Sequence, residues 1–257
     1  MRGLLIAIVL ALCACGGSPA REVAASFCSE QTFEGTRFTV CGNKGGELRL
    51  FAAAKGQTPL RSFADLALDQ DKVAFAMNAG MFDEDGRPIG LATANGAALH
   101  KVNLRDGPGN FHMKPNGVFI VTCGGKSVMI VKSEAVPQFR CAPDIETQSG
   151  PMLVIDGKLH PKIEADGTSR LIRNGVGVTR DGRPLFVISE DPVSFGKLAR
   201  FFRDSLKTPN ALFFDGSVSS LWDPANGRMD SHAELGPMIV GLKPSASTPD
   251  RGGHAKP

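Results

Sequence analysis

The sequence has no tyrosine and a single tryptophan in 257 residues, so any aromatic wall must be built from its 16 phenylalanines. It has little excess charge: 29 Lys+Arg against 26 Asp+Glu give +3, too even a balance for a chain whose main partner is nucleic acid. It has few histidines, five in all, and none in HxxH or HExxH spacing. No cysteines are spaced as CxxC, so neither a catalytic metal nor a zinc site is indicated, and no cofactor is expected. Gly175-Val176-Gly177 lacks the third glycine of a dinucleotide site. Gly124-Gly125-Lys126-Ser127 lacks the first half of a P-loop, and no GxSxG elbow occurs. No repeat of solenoid length is present.

What is present is a core-forming chain. The hydrophobic fraction is 42% and the charged fraction 21%, which argues against intrinsic disorder. Gly 30 and Pro 17 point to many turns. The N-terminus carries Arg2, an apolar run from Leu4 to Leu12, and then Cys13-Ala14-Cys15-Gly16. The run is too short to span a bilayer, and its end resembles a bacterial lipobox. This predicts a signal peptide over 1–14, a lipidated Cys15 and a tether over 15–37. An ordinary secretory signal cut after Ala14 or Ala20 is the alternative. The expected location is the bacterial periplasm, anchored to a membrane. Gly16 after Cys15, with no Asp there, suggests the outer one. Four further cysteines in an oxidising compartment allow three pairings. The local one, Cys28–Cys41 and Cys123–Cys141, closes two short loops and is expected.

Patterning predicts a single α+β domain over 38–241, with antiparallel or mixed sheets of about ten short strands and about two helices. A flexible tail follows over 242–257. Phe38–Cys41 and Glu47–Ala52 read as a strand pair, and Gly117–Thr122 with Ser127–Val131 as a hairpin. Pro59–Leu68 reads as a helix because Ser62 and Asp65 have capping-box spacing. Phe195, Leu198, Ala199, Phe202 and Leu206 share one helical face, with Ser194 as N-cap. The segment 184–214 reads as strand, helix, strand, and fits one parallel crossover.

Two apolar strands stop abruptly at a polar residue near glycine: Ala76-Met77-Asn78-Ala79-Gly80-Met81-Phe82-Asp83 and Leu212-Phe213-Phe214-Asp215-Gly216-Ser217. Such residues sit at a sheet rim, where backbone approaches a ligand closely, although turn formation alone uses the same residue types. Gln148-Ser149-Gly150-Pro151 and Arg173-Asn174-Gly175 also lead into apolar strands, and Glu190 ends another. An Arg fork suits phosphate, while a surface ion pair is the commoner use of such a residue.

In this order, four blocks resemble the phosphodiester glycosidase family, that of the lysosomal uncovering enzyme. They are Asn78 to Asp83, Gln148 to Pro151, Arg173 to Gly177, and Phe214 to Ser219. Ala79 and Ser217 replace family glycines. The resemblance implies hydrolysis of a sugar-1-phosphodiester in an envelope glycan or nucleotide sugar. Such a reaction passes through an oxocarbenium-like state, which a carboxylate must stabilise, attack or supply with water. On this reading Asp215 is that carboxylate, Glu190 the second acid/base, and Arg173 the phosphate ligand. Asn78 and Asp83 bind sugar hydroxyls or position Asp215. Gln148, Ser149, Asn174, Gly216, Ser217 and Ser219 complete the substrate site. The alternative is a non-catalytic glycan-binding lipoprotein of the same fold.

Overall fold

The computed structural model describes residues 26–244. Its strands form three sheets, and every ladder is antiparallel. The first sheet runs β1 (Cys28–Phe33), β2 (Thr36–Gly42), β13 (Pro184–Ser189), β12 (Asn174–Val178), β14 (Asn210–Phe213), β10 (Met152–Ile155), β11 (Lys158–Leu159). The second runs β16 (Arg228–Met229), β15 (Leu221–Asp223), β4 (Val73–Asn78), β17 (Met238–Leu242), β3 (Leu48–Phe51). The third runs β6 (Ala97–His100), β5 (Ala92–Ala94), β9 (Pro143–Ser149), β7 (Gly117–Thr122), β8 (Ser127–Lys132).

The period-2 alternation of strand side chains divides the interior. Phe186 and Ile188 of β13, with Leu212 and Phe214 on and after β14, face a central core. There they meet Phe75 and Met77 of β4 and Phe119 and Val121 of β7. Val187, Ala211 and Phe213 point the other way, under the helix. That helix, α1 (Phe195–Arg200), runs on as a π-turn over Phe201–Ser205. Ser194 caps it as expected, its hydroxyl accepting from the Lys197 N–H at 3.1 Å. Phe201 stacks on Phe38 with ring centroids 4.1 Å apart. A third cluster joins Trp222, Phe63, Leu66 and Val240 on the outer face of the second sheet.

Several expectations are corrected. Pro59–Leu68 is no helix but a single 3-10 turn, Ala64–Leu66. The Asp65 carboxylate does accept from the Arg61 N–H at 2.9 Å, but Ala67 at φ 49° ends the turn at once. Strands β2 and β3 do not pair. β2 lies between β1 and β13, while β3 joins β17 in another sheet. There is thus one helix rather than two, and no parallel ladder among the described residues. The β13–α1–β14 crossover brings β14 back parallel to β13 with β12 inserted between them. The sheet begins at Cys28 rather than at 38, so residues 28–37 of the expected tether belong to β1, its turn and the start of β2. The expected leader, Cys15 and residues 245–257 lie outside the described residues. Both expected disulfides form, Cys28–Cys41 and Cys123–Cys141.

The registers give the molecule two distinct ends. Asn78, Ser149, Asn174, Ser189 and Phe213 are terminal residues of their strands, and direct contacts gather them at one end. Asn174 bonds to Asn78, and the Phe213 N–H donates to the Pro151 carbonyl. The turns 43–47, 123–126 and 179–183 lie at the other end. Ser26 and Pro244, the limits of the described chain, lie there too. The Gly42 N–H donates to Phe27 O at 3.0 Å, and Leu242 pairs with Val73, the residue of β4 farthest from Asn78.

Candidate active site

The first end is organised around Asn78, a buried amide at the tip of β4. Its Oδ1 accepts from Asn174 Nδ2 at 2.8 Å and from the Ser220 N–H at 2.9 Å. Its Nδ2 donates to the Asp215 carbonyl at 2.9 Å. One side chain thus ties β4, β12 and the 215–220 loop together. Asn174 is buried too, and its Oδ1 lies 3.2 Å from the Ser219 hydroxyl. That hydroxyl is also 3.1 Å from the Ile172 carbonyl and 3.3 Å from that of Gly216. Asn78, Asn174 and Ser219 therefore position Asp215, and their polar atoms are largely occupied by one another.

Asp215 caps the 3-10 turn Gly216–Val218, its carboxylate accepting from the Ser217 N–H at 3.1 Å. Burial pushes its pKa up, the Ser217 hydrogen bonds oppose this, and no cation contributes. A carboxylate in that state is the kind of group found where proton transfer or cation stabilisation is needed. Gly216 is required for space: a Cβ there would lie 2.6 Å from Phe213 Cζ.

Arg173 is almost completely buried, and its stem passes Gly216, with Cγ 3.7 Å from where a Cβ would stand. Among the described residues, its head makes no hydrogen bond to the Asp215 loop. Nε donates to Val193 O at 2.9 Å, and Nη2 to Ser169 O at 3.2 Å and Ser169 Oγ at 3.0 Å. The guanidinium lies 3.8 Å from the Phe195 ring centroid and 5.6 Å from that of Phe213. Burial pushes its pKa down to about 10, so it stays charged at neutral pH. Among the described residues, Nη1 has no partner and no carboxylate pairs with the charge. The Ser149 hydroxyl is a second buried group without a partner. It shares its face of β9 with Thr147, whose Oγ1 accepts from the Gly80 N–H at 3.2 Å.

The remaining expected residues are placed differently. Gln148 is a strap. Its Oε1 accepts from Leu91 N at 2.8 Å and Asn103 N at 2.9 Å, and its Nε2 donates to Asn103 O at 2.7 Å and Ser133 Oγ at 3.0 Å. All four valences are used, so the side chain secures the 101–112 loop and has none left for a substrate. Asp83 is exposed and closes a turn, its Oδ1 accepting from the Arg87 N–H at 2.8 Å. Glu190 accepts from Thr39 Oγ1 at 2.5 Å and from Arg228 Nη1 at 2.6 Å. Arg228 in turn forks onto Asp230 at 3.0 and 2.9 Å. Among the described residues, no hydrogen bond joins Glu190 to Asp215. The sequence reading missed Ser189, whose hydroxyl accepts from the Arg173 N–H at 3.0 Å, and the Phe195 and Phe213 faces around that guanidinium. It also missed Arg228. Only the cap at Ser194 hinted that Phe195 would stand beside the site. No group of three or more His, Cys, Asp or Glu side chains among the described residues is placed to hold a metal ion.

Known proteins are similar to this chain in sequence and in fold. An uncharacterized protein, YigE of Escherichia coli K12, is 37% identical over 155 residues, 60% of this chain and 59% of the relative. The chain thus aligns with about six tenths of that relative's length. The catalytic domain of zebrafish N-acetylglucosamine-1-phosphodiester alpha-N-acetylglucosaminidase, auto-inhibited by its pro-peptide, shares the fold. The TM-score is 0.59 at 12% identity, over 85% of this chain and 82% of the other. The family model of phosphodiester glycosidases matches residues 71–233, which hold Asn78, Arg173, Asn174 and Asp215, and the chain belongs to that family.

Proposed function

We propose that this chain hydrolyses the bond between a sugar's anomeric carbon and a phosphodiester in the bacterial envelope, with Asp215 as the carboxylate at the reacting carbon. The observation that carries this reading is the state of Asp215. It is half-buried and raised in pKa, and fixed by Asn78 and Ser217. As the bond to the phosphate oxygen breaks, the electron pair leaves with phosphate and positive charge grows on the sugar ring. A carboxylate there stabilises that charge, attacks it, or takes a proton from water. Phosphate is a good leaving group and needs little help from an acid, which fits the commitment of Glu190 to Arg228. Arg173 supplies a buried positive charge with no carboxylate partner among the described residues, and it would favour an anion at this end through its field rather than by contact. The Ser149 hydroxyl is the corresponding free group on β9. Export by the 1–14 leader and lipidation at Cys15 would place this activity in the periplasm on a membrane.

The test is release of free sugar from UDP-N-acetylglucosamine by the wild type beside Asp215→Asn. Sugar released by the wild type alone supports both the class and the role. Equal release by both retains the class and removes Asp215. No release from this or a small set of sugar phosphodiesters favours the second reading, a glycan-binding lipoprotein. One observation speaks for it: the Arg173 head is enclosed by Val193, Ser169 and Phe195.

A further inference from the structure

The end of the fold opposite Asp215 carries a groove of about 1250 Å³. All three sheets contribute to it. Leu48, Val121, Val128 and Leu242 make an apolar floor. Gly45, Gly124, Gly125 and Gly182 form bare lips, with open space where a Cβ would stand.

The charges on the rim leave a small positive excess. Four cations line it, Lys72, Lys126, Arg183 and Lys243, with three carboxylates, Glu47, Asp71 and Asp144. Arg183 is paired with Asp181 at 2.6 Å and Glu47 with Arg49 at 2.8 Å. Asp144 accepts from the N–H groups of Gly124 at 2.7 Å and Gly125 at 3.2 Å. Among the described residues, Lys72, Lys126 and Lys243 have no carboxylate partner, and they face two lining acids without a cation partner, Asp71 and Asp144, which leaves the rim net positive by one. Lys44 on the adjoining turn adds a further positive charge, its Nζ donating to the Ser26 carbonyl at 2.6 Å.

We propose that this end is a membrane-facing surface whose groove receives the phosphate headgroup of an anionic phospholipid, so that the Asp215 end points away from the bilayer. Three ammonium groups without a carboxylate partner among the described residues, on a rim that is net positive, over an apolar floor suit a headgroup with the start of its acyl chains. The position of Ser26 gives the surface its occupant. On the proposed lipidation of Cys15, ten residues separate the anchor from Ser26, and they reach at most about 40 Å. A globule of the described size has a radius of about 22 Å, so half its circumference is about 70 Å. An anchor that short cannot lay the Asp215 end on the membrane. Substrate would then be taken from the space beyond the anchoring membrane rather than from its lipids.

Vesicle binding tests this without using the hydrolytic activity, so its failure is distinct from failure of the proposed reaction. The chain from residue 15, carrying Cys15→Ser so that only the folded surface binds, is sedimented with two kinds of vesicle. One is phosphatidylcholine alone, and the other has phosphatidylglycerol mixed in. Binding should be at least about 10-fold tighter to the anionic vesicles, with about a 5-fold loss per lysine removed. The triple variant Lys72→Gln, Lys126→Gln, Lys243→Gln should lose roughly 100-fold while its thermal unfolding is unchanged. Equal binding to both vesicles, binding to neither, or a triple variant that keeps its affinity would overturn the proposal.

Discussion

Asp215→Asn separates a catalytic carboxylate from a structural one, because the two roles predict opposite changes in stability. The group's pKa in the folded chain lies above its ordinary value of 3.8, chiefly through burial. The folded state thus holds the proton more tightly than the unfolded state does. The resulting cost to stability is absent below pH 3.8, grows as pH rises through the raised pKa, and is constant above it. Each unit of the shift corresponds to about 1.4 kcal/mol withheld from folding at neutral pH. Asparagine removes the charge yet keeps an oxygen for the Ser217 N–H. The variant should therefore melt higher at pH 7, by about 2–4 °C for each kcal/mol recovered in a chain of this size. Sugar release should fall by about 100-fold or more. In the wild type, kcat/KM should decline as pH drops through the raised pKa, because the carboxylate form does the work. Paired measurements are thermal unfolding at pH 7 and below pH 3.8, and initial rates on a sugar phosphodiester. A variant that is destabilised at neutral pH and fully active would refute both the burial argument and the role.

Asn78→Ala removes the partner of Asn174 Nδ2, the Ser220 N–H and the Asp215 carbonyl, so unfolding free energy should drop by about 2–4 kcal/mol and activity fall with it. A denaturant titration with an unchanged midpoint would contradict this. Gly216→Ala places a methyl 2.6 Å from the Phe213 ring, and its rate loss should exceed its stability loss because the Asp215 turn must shift. Kinetics and melting on the same sample decide. Gln148→Ala leaves Asn103 and Leu91 groups without partners, so hydrogen exchange should speed up across 101–112 while the Asp215 loop is unaffected. Reducing Cys28–Cys41 and Cys123–Cys141 opens loops of 13 and 18 residues' separation, each worth about 3 kcal/mol, and denaturation with and without reductant measures the sum.

What was legible in the sequence was local. The hairpin across Cys123 to Lys126 and the Ser194 cap each involve neighbours in the chain, and both form. The stops at Asn78 and Asp215 were visible because an apolar strand meets a polar residue beside glycine, and the fold does bring those two together. What failed depended on distant partners. β2 and β3 look like a hairpin until β13 and β17 are known to claim them. Capping-box spacing at Ser62 gave a turn rather than a helix because Phe63 and Leu66 are drawn into the cluster around Trp222. Gln148 and Asp83 carry the right chemistry for a ligand, yet each is spent on backbone groups, and Arg173 points its head inward. Residue type announces capacity, and only the fold decides on whom it is used.

The place of β17 has a bearing on how this protein can be cut. Residues 71–233 match the family, but β4, which ends in Asn78, has β17 as its neighbour on one side, and β17 comes from residues 238–242. Beyond β17 lies β3, from residues 48–51. Excising the matched stretch would remove β17, and β3 beyond it, from that side of β4 and leave a row of unpaired amides beside the asparagine that holds Asp215. Evolution can therefore lengthen the turns between strands far more freely than it can shorten either flank, and a trimmed version of this chain should self-associate before it loses its secondary structure.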